Sequence, residues 1–312
     1  MVVEISTYLQ AAGAFNVSGL PRSTSSGLRQ LYTNALALFA LQLPGDFVET
    51  GVFHGATSIA MMRILHAKGS SKRHFACDSF DGLPDAVAAD HSCQHQRGST
   101  AKGCVSGAGG AHAFKGSRDE FEEWVRREHL MRYLHVVQGW FNESLPPHGL
   151  RQISFLRLDG DMYESTIAPL RTLYPLVAPG GVIYIDDYGS YAGCAAAVHE
   201  YFKEQNIGEP HAVLQPIVEF GGSKLGVESV WFQKPGWEQS SAERLTGAPG
   251  CWKHGDASCR PGGAMDLQLR LGAKICADAR QRDGYAAEYM RREHKAPLPW
   301  QCPPGGQYKA ES

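Results

Sequence analysis

Four carboxylates follow two apolar runs in the middle of the chain, and their spacing predicts a cation site. The run SFLRL leads to Asp159 and Asp161, and the run GVIYI leads to the pair Asp186 and Asp187. If both runs are strands of one parallel sheet, their carboxyl ends open onto the same crevice. Like charges held close together repel one another, so a bound cation is their natural complement.

The side-chain types in this cluster favour a hard, oxygen-preferring cation such as Mg²⁺. No His or Cys lies in either acidic segment to favour zinc. Each Asp taken alone has a structural alternative, because Asp after a strand is commonly a turn or helix-capping residue. Asp161 in particular stands before a helical span and could serve only as its cap. Metal binding is therefore predicted for Asp159, Asp186 and Asp187 as a set.

A motif upstream predicts the first half of a nucleotide-type binding site. DFVETGVFHGATSIAMMRIL indicates a short strand, a glycine turn flanked by Gly51 and Gly55, and an apolar helix. The N-terminus of that helix would point its amides at an anionic group, and Thr57 and Ser58 offer hydroxyls there. The turn does not match the dinucleotide fingerprint GxGxxG, since Phe53 stands at the middle glycine.

The next two predicted strands end in residues suited to a nucleoside. HFACDSFDGLPD indicates a strand ending at Asp78, where such folds hold the ribose hydroxyls, although a turn-capping role is the alternative. YLHVVQGW indicates a third strand ending at Gly139 and Trp140, where the indole could stack on an adenine ring. Trp140 could equally belong to the core.

Composition excludes some classes of partner. The chain has 312 residues and a formal charge of −2, which gives no basic footprint for nucleic acid or an acidic membrane surface. The N-terminus lacks a basic stretch followed by an apolar run, and no segment approaches the ~18 apolar residues of a spanning helix. We therefore expect a cytoplasmic protein with small-molecule partners. Its eight cysteines are expected to be reduced, and the tail has no CxxC pair to indicate zinc.

The order of the predicted elements indicates one doubly wound α/β domain. Seven strand candidates separated by helices occupy residues 27–236, with an antiparallel pair at the end. Apolar spacing predicts helices over residues 27–43, packed on the sheet, and over 117–129. Residues 1–26 are expected to form a poorly ordered or substrate-covering arm, and the Gly/Ala/Ser-rich stretch 86–113 a mobile insertion. Residues 237–312 form a Cys-containing extension with one predicted helix between 266 and 294.

Five motifs in fixed order carry a family resemblance. ETGVFHGATSIAMMRIL, DSFDGLPD, GWFNESLP, LRLDGDMYEST and IDDYG resemble the macrocin O-methyltransferase (TylF-type) family of S-adenosylmethionine-dependent sugar O-methyltransferases, over residues 28–234. The resemblance implies a Rossmann-like class I methyltransferase related to the Mg²⁺-dependent catechol-type enzymes. It implies methyl transfer from S-adenosylmethionine to a hydroxyl of a sugar, or of a related polyol or phenol, in a natural product.

The resemblance also implies roles for individual positions. Asp159, Asp186 and Asp187 match the metal ligands, and Asp161 matches the residue proposed in some relatives as general base. The implied cofactor site consists of Glu49, Thr50, Gly51, Phe53, Gly55, Thr57, Ser58, Asp78, Ser79, Gly139, Trp140 and Asp159. The insertion and the tail depart from the family pattern, so the acceptor's identity and homo-oligomerisation stay open.

Two other classes of function compete with this interpretation. A catalytically silent methyltransferase-like module would bind the cofactor or a partner only, but such a module has no need of four converging carboxylates. A nicotinamide-dependent oxidoreductase on a similar sheet is disfavoured by Phe53 in the glycine turn and by the lack of a Tyr-x-x-x-Lys pair near the fourth strand.

Overall fold

Strands and helices alternate along the part of the chain that the computed structural model describes. That part comprises residues 8, 11–13, 15, 19–21, 23–91, 113–205, 207, 215–221 and 224–234. The helices are α1 Gly27–Ala40, α2 Ala56–Ala67, α3 Arg118–Arg127, α4 Phe141–Ser144, α5 Tyr163–Leu173 and α6 Ala192–Glu204. The strands are β1 Asp46–Thr50, β2 His74–Asp78, β3 Leu134–Gln138, β4 Ile153–Leu158, β5 Val177–Ile185, β6 Gln215–Gly221 and β7 Lys224–Gln233. Short 3-10 turns cover Ala88–His91 and Tyr174–Leu176.

The strands form one sheet in the order β3-β2-β1-β4-β5-β7-β6. The pairs from β3 to β5 are parallel, whereas β7 runs antiparallel to both β5 and β6. Chain order reverses between β1 and β4, which creates the switch point where such sheets bind ligands at their carboxyl edge. The predicted doubly wound, mostly parallel sheet with an antiparallel end is confirmed.

Helices cover both faces of the sheet, which explains why its central strands are buried. All six residues of β4 are buried, as expected for a parallel strand packed on two sides. Phe47 and Phe155 face α1 and α2, and their rings meet edge to face with centroids 5.7 Å apart. Val48 and Leu156 point to the opposite face, where α5 and α6 complete a second core.

Side-chain caps set where two of the predicted helices begin. Ser26 accepts the amide of Arg29 (3.2 Å) at the start of α1, and Ser117 accepts that of Glu120 (3.3 Å) at the start of α3. Helix α1 stops at Ala40, three residues before the predicted end, because residues 41–45 turn into β1. Both helices are confirmed, with shorter bounds.

The N-terminal segment and the predicted insertion each contribute packed residues. In the N-terminal segment, Ala12 is buried, and the Tyr8 ring meets Phe39 of α1 edge-on. In the predicted insertion, Asp90 is buried. Residues 92–112, the predicted tail helix and the tail cysteines lie outside the described residues, as do Cys93 and Cys104. Cys77 and Cys194 are buried, and neither forms a disulfide. The helices of the described ranges are each too short or too polar to cross a bilayer.

Candidate active site

A cavity of about 590 Å³ opens at the carboxyl edge of the sheet, at the switch point. Its wall includes residues at the ends of five neighbouring strands, namely Gly51, Asp78, Gly139, Asp159 and Asp187. The volume lies within the ~300–1,000 Å³ that is typical of sites for small molecules and cofactors. The motifs predicted to carry chemistry therefore surround one space.

The predicted metal ligands come together at this edge. Asp159 follows β4, and Asp186 and Asp187 follow β5; one carboxylate oxygen from each lies within 4.8 Å of the other two. Around an octahedral ion with ligand distances of ~2.1 Å, adjacent oxygens are ~3.0 Å apart and opposite oxygens ~4.2 Å, so the three carboxylates would close in on a shared ion. The predicted proximity of the three carboxylates is confirmed.

Two arginines that the sequence did not single out contact this cluster. Arg157 of β4 is fully buried, and its guanidinium bonds Glu49 (2.9 Å), Asp186 (3.1 Å) and Asp159. Arg29 of α1 donates to the other carboxylate oxygen of Asp186 (2.6 Å). Neither contact could be anticipated, because α1 showed only the apolar spacing of a packing helix and Arg157 interrupts an otherwise apolar strand.

The two arginines neutralise the charges of the three carboxylates to different extents. Burial alone would raise the pKa of Asp186, but Arg29 and Arg157 outweigh it, so the pKa of that carboxyl falls below its usual range. Burial raises the pKa of Asp159, against the pull of Arg157, and it raises that of Asp187, with Asp161 and Asp186 adding repulsion. The ionised forms of Asp159 and Asp187 are thus not fully compensated by the arginines, and three carboxylates without a nitrogen or sulfur ligand fit a hard divalent cation.

Asp161 occupies a strained position on the cavity wall. Its φ of +61° lies in the left-handed region, which non-glycine residues adopt at a cost and mostly at functional sites. Its amide donates to Asp187 Oδ2 (3.3 Å). Burial, with Asp159 next, raises the pKa of Asp161 to about 8. The alternative of a capping role is wrong, because Met162 is the N-cap of α5 and makes no side-chain bond there.

The glycine turn after β1 depends on backbone conformation. Gly51, Phe53 and Gly55 all have positive φ (+90°, +54° and +86°). A Cβ at Gly51 would overlap the carbonyl oxygen of Asp159, and one at Gly55 would overlap the Phe121 ring. The turn therefore requires glycine at both flanks, and it lies directly against the acidic cluster.

Asp78 is the side chain that shapes this turn. Its Oδ2 accepts the amides of Val52 (2.6 Å) and Phe53 (3.1 Å), and its Oδ1 accepts that of Phe80 (2.6 Å). Burial raises the pKa of Asp78, and these amide bonds act in the opposite direction. The carboxylate also lines the cavity, so one residue holds the turn and faces the space predicted for the ribose.

The twelve predicted cofactor residues fall into two groups: seven line the cavity, and five lie behind its wall. Gly51, Phe53, Asp78, Ser79, Gly139, Trp140 and Asp159 line the cavity. Trp140 is half-buried on its wall, which removes the core alternative. Glu49, Thr50, Gly55, Thr57 and Ser58 do not line it.

The structure places the supporting side chains beneath the turn, away from the cavity. The Thr57 hydroxyl donates to Gln30 of α1 (3.1 Å), while Ser58 bonds Glu49 and His74. Thr50 is fully buried at the end of β1. The hydroxyls of Thr57 and Ser58 face the interior because the first turn of α2 packs against α1 and the sheet, so their predicted contact with an anionic group is replaced by internal bonds.

The cavity wall carries both acidic and apolar side chains. Among the described residues, it includes the carboxylates of Asp78, Glu143, Asp159, Asp161, Glu164 and Asp187, and a single basic side chain, Arg29. The apolar side chains include Leu83, Val87, Phe114 and Tyr191. These four were not predicted, because they lie in loops whose path the local sequence does not determine.

The sequence is similar to one family and to several curated enzymes. Residues 23–218 match the model described as Macrocin-O-methyltransferase (TylF). The chain is 37% identical over 169 residues to the 8-demethyl-8-(2,3-dimethoxy-alpha-L-rhamnosyl)-tetracenomycin-C 4'-O-methyltransferase of Streptomyces olivaceus, covering 54% of this chain and 62% of that enzyme. It is 35% identical over 173 residues to the demethyldecarbamoylnovobiocin O-methyltransferase of Streptomyces niveus, again covering 54% and 62%. The matches thus span less than two thirds of these relatives' length.

Solved structures show the same fold. The O-methyltransferase NovP aligns with a TM-score of 0.56 and 26% identity, covering 75% of this chain and 100% of that chain. The calicheamicin methyltransferase CalS11 aligns with a TM-score of 0.52 and 17% identity, covering 75% and 93%, which supports the fold alone.

Proposed function

The chain belongs to the TylF macrocin O-methyltransferase family, and from that premise we propose that it transfers a methyl group from S-adenosylmethionine to a hydroxyl of a glycosylated natural product, with Mg²⁺ bound. We assign this activity to residues 27–236. The observation that carries the proposal is the contact between the glycine turn and the acidic cluster, where Gly51 lies against the carbonyl of Asp159. A cofactor held by the turn would place its methyl group next to the carboxylates.

The names of the relatives support the acceptor class. They describe O-methylation of a rhamnosyl tetracenomycin, of demethyldecarbamoylnovobiocin and, in a relative from Micromonospora griseorubida at 32% identity, of mycinamicin III at its 3'' position. We infer that this chain likewise methylates a hydroxyl on a sugar-containing natural product.

The charge of the wall supports an acceptor without phosphate. The wall carries six carboxylates, and its single arginine among the described residues already pairs with Asp186. A nucleotide sugar would bring a diphosphate, for which the described part of the wall offers no basic partner besides the arginine already bound to Asp186. The proposed acceptor is therefore an uncharged glycoside, so glycosyl transfer comes before methylation.

The cofactor is proposed to lie along the ends of β1, β2 and β3. The turn at Gly51 would hold its methionine end, Asp78 would accept from the ribose hydroxyls, and Trp140 would border the adenine. Asp78 has donors on both oxygens but keeps lone pairs for further bonds, since an ionised carboxylate offers about four acceptor sites. The wall placement of all three residues supports this arrangement.

The proposed mechanism uses Asp161 as the base. Asp159, Asp186 and Asp187 would hold the ion, which when bound lowers the pKa of a coordinated hydroxyl. Asp161 takes the proton from the acceptor hydroxyl, since its carboxylate lies on the same wall as the proposed ion ligands Asp159 and Asp187. The acceptor oxygen bonds the methyl carbon as the carbon–sulfur bond breaks, which releases S-adenosylhomocysteine. The remaining acceleration comes from holding oxygen, methyl and sulfur in line.

The substitution Asp159→Ala tests this proposal. It should lower kcat by at least about 1,000-fold, because it removes a ligand and disturbs the base. Binding of S-adenosylhomocysteine, measured by calorimetry, should change by less than about threefold, since most cofactor contacts lie elsewhere. The matched control is Asp119→Asn, on the exposed start of α3. Full activity of Asp159→Ala, or of chelator-treated enzyme, would contradict the metal-assisted mechanism.

A further inference from the structure

The buried side chain of Asp90 makes contacts that the mechanism above does not use. Asp90 lies in the 3-10 turn Ala88–His91 and is 1% exposed. Its Oδ1 accepts the amide of Tyr163 (2.7 Å), and its Oδ2 accepts that of Val87 (2.9 Å). Asp90 is not part of the cavity wall, so it would not contact cofactor or acceptor.

The amide that Asp90 accepts belongs to the first residue of α5. The N-cap of that helix, Met162, offers no side-chain bond, so Asp90 supplies the missing cap from 73 residues away in the sequence. Tyr163 stands two residues after Asp161, whose left-handed backbone would otherwise relax. The amide of Asp161 is held in turn by Asp187. The segment Asp161–Tyr163, which begins with the proposed base, is thus held by a carboxylate at each end.

Gly193 in the first turn of α6 makes room for this arrangement. A Cβ there would overlap Asp90 Oδ1 and would lie 2.8 Å from the amide nitrogen of Tyr163. No positive φ requires glycine at this helical position, so close packing accounts for it. The Asp90 carboxylate therefore lies at the N-termini of α5 and α6 together, where the helix dipoles favour a negative charge.

We propose that Asp90 is a positioning residue, which holds the segment Asp161–Tyr163 and so keeps the base, Asp161, facing the acceptor. The proposal rests on the proposed function, because it assigns a task to the same site. It predicts that loss of Asp90 slows the chemical step and leaves cofactor binding intact. It also predicts that loss of Asp90 makes the start of α5, at Tyr163, more mobile whether or not an acceptor is present.

The test compares Asp90→Ala with Asp46→Ala. Asp46 also accepts a backbone amide, that of Arg73 (2.8 Å), but at the start of β1, the opposite edge of the sheet. Asp90→Ala should lower kcat by about 100-fold, as expected for a small misplacement of the base. The KM for S-adenosylmethionine should stay within about twofold in both variants, and Asp46→Ala should keep kcat within about twofold. Asp90→Asn, which keeps an acceptor for the Tyr163 amide, should recover most of the loss.

Hydrogen exchange separates this proposal from the proposed function. The Tyr163 amide should exchange at least about tenfold faster in Asp90→Ala than in the wild type or Asp46→Ala, with no acceptor added. Gly193→Ala should reproduce both effects, and its effect on kcat should be smaller in an Asp90→Ala background. An unchanged kcat in Asp90→Ala, or an equal loss in Asp46→Ala, would overturn the proposal. A wild-type protein that binds no S-adenosylmethionine would overturn the proposed function, while the exchange result would still decide whether Asp90 holds the segment Asp161–Tyr163.

Discussion

The two halves of the cavity are built by different means. At the ends of β1 and β2, the wall depends on backbone: Gly51, Phe53 and Gly55 adopt positive φ, and Asp78 accepts the amides that fix the turn. At the ends of β4 and β5, the wall depends on charged side chains, with Arg157 buried beneath the carboxylates. In the proposed function, the first half would present shape and backbone donors to the cofactor, and the second would present charge to a cation and to the acceptor's proton.

The partners in the two halves also differ in their separation along the chain. Asp78 and the amide of Val52 are 26 residues apart, within one β-turn-α-β unit. Arg157 and Glu49 are 108 residues apart, and Arg29 and Asp186 are 157 apart. Local backbone geometry therefore determines the shape of the half at β1 and β2, which is proposed to hold the cofactor. The acidic half at β4 and β5 forms only when the whole domain has folded.

The largest effect that would test this contrast is expected for Arg157→Met. Removing one partner of a buried ionic network leaves Glu49 and Asp159 uncompensated, which should lower the free energy of unfolding by about 3–5 kcal/mol. Urea unfolding measures the loss. The exposed Arg118, paired with Glu122 on α3, provides the control, since Arg118→Met should cost about 0.5 kcal/mol or less. Equal losses of unfolding free energy in the two variants would show that Arg157 stabilises the fold no more than an exposed arginine does. If Arg157→Met does not fold, Glu49→Gln combined with it should recover part of the stability.

An intermediate effect is expected for Asp78→Asn in the backbone half. The amide group cannot accept the three backbone N–H bonds that the carboxylate accepts, so the turn should lose its fixed shape. The affinity for S-adenosylhomocysteine should fall by about 10- to 100-fold, roughly 1.4–2.7 kcal/mol. Calorimetry measures this loss, and Mn²⁺ affinity measured on the same variant serves as the internal control. If Mn²⁺ binding weakened as much as cofactor binding, the two halves would not be independent.

The smallest effect is expected for Arg29→Gln in the acidic half. Arg29 pairs with Asp186 and would compete with a cation for it, so its removal should tighten Mn²⁺ binding by about fivefold, roughly 1 kcal/mol. Electron paramagnetic resonance of free Mn²⁺ measures the change. Weaker binding in this variant would mean that Arg29 orients Asp186 for the ion instead of competing with it.

In both halves, the sequence predicted well the residues at strand ends and those within one short motif. Asp78, Asp159 and Asp187 could be placed at the cavity because each follows a recognisable strand, and parallel strands share an edge. The glycine turn could be placed because its residues are adjacent in the chain.

What the sequence did not predict depends on packing between distant elements. The apolar spacing of α1 does not show that Arg29 reaches the end of β5, and Arg157 reads as an interruption in an apolar strand. Thr57 was expected to face a ligand, but the direction of its hydroxyl is set by Gln30 on α1. Nothing in the sequence indicated a role for Asp90, because its partner Tyr163 belongs to a helix far along the chain.

A titration of metal-free protein with Mn²⁺, in the presence of S-adenosylhomocysteine, tests the central claim most directly. Wild-type protein should bind one ion in a saturable manner, and Asp187→Ala should lose that site, because Asp187 is one of the three converging ligands. Identical binding curves for the two proteins, or methyl transfer at full rate by metal-free wild-type enzyme, would contradict a shared cation between β4 and β5.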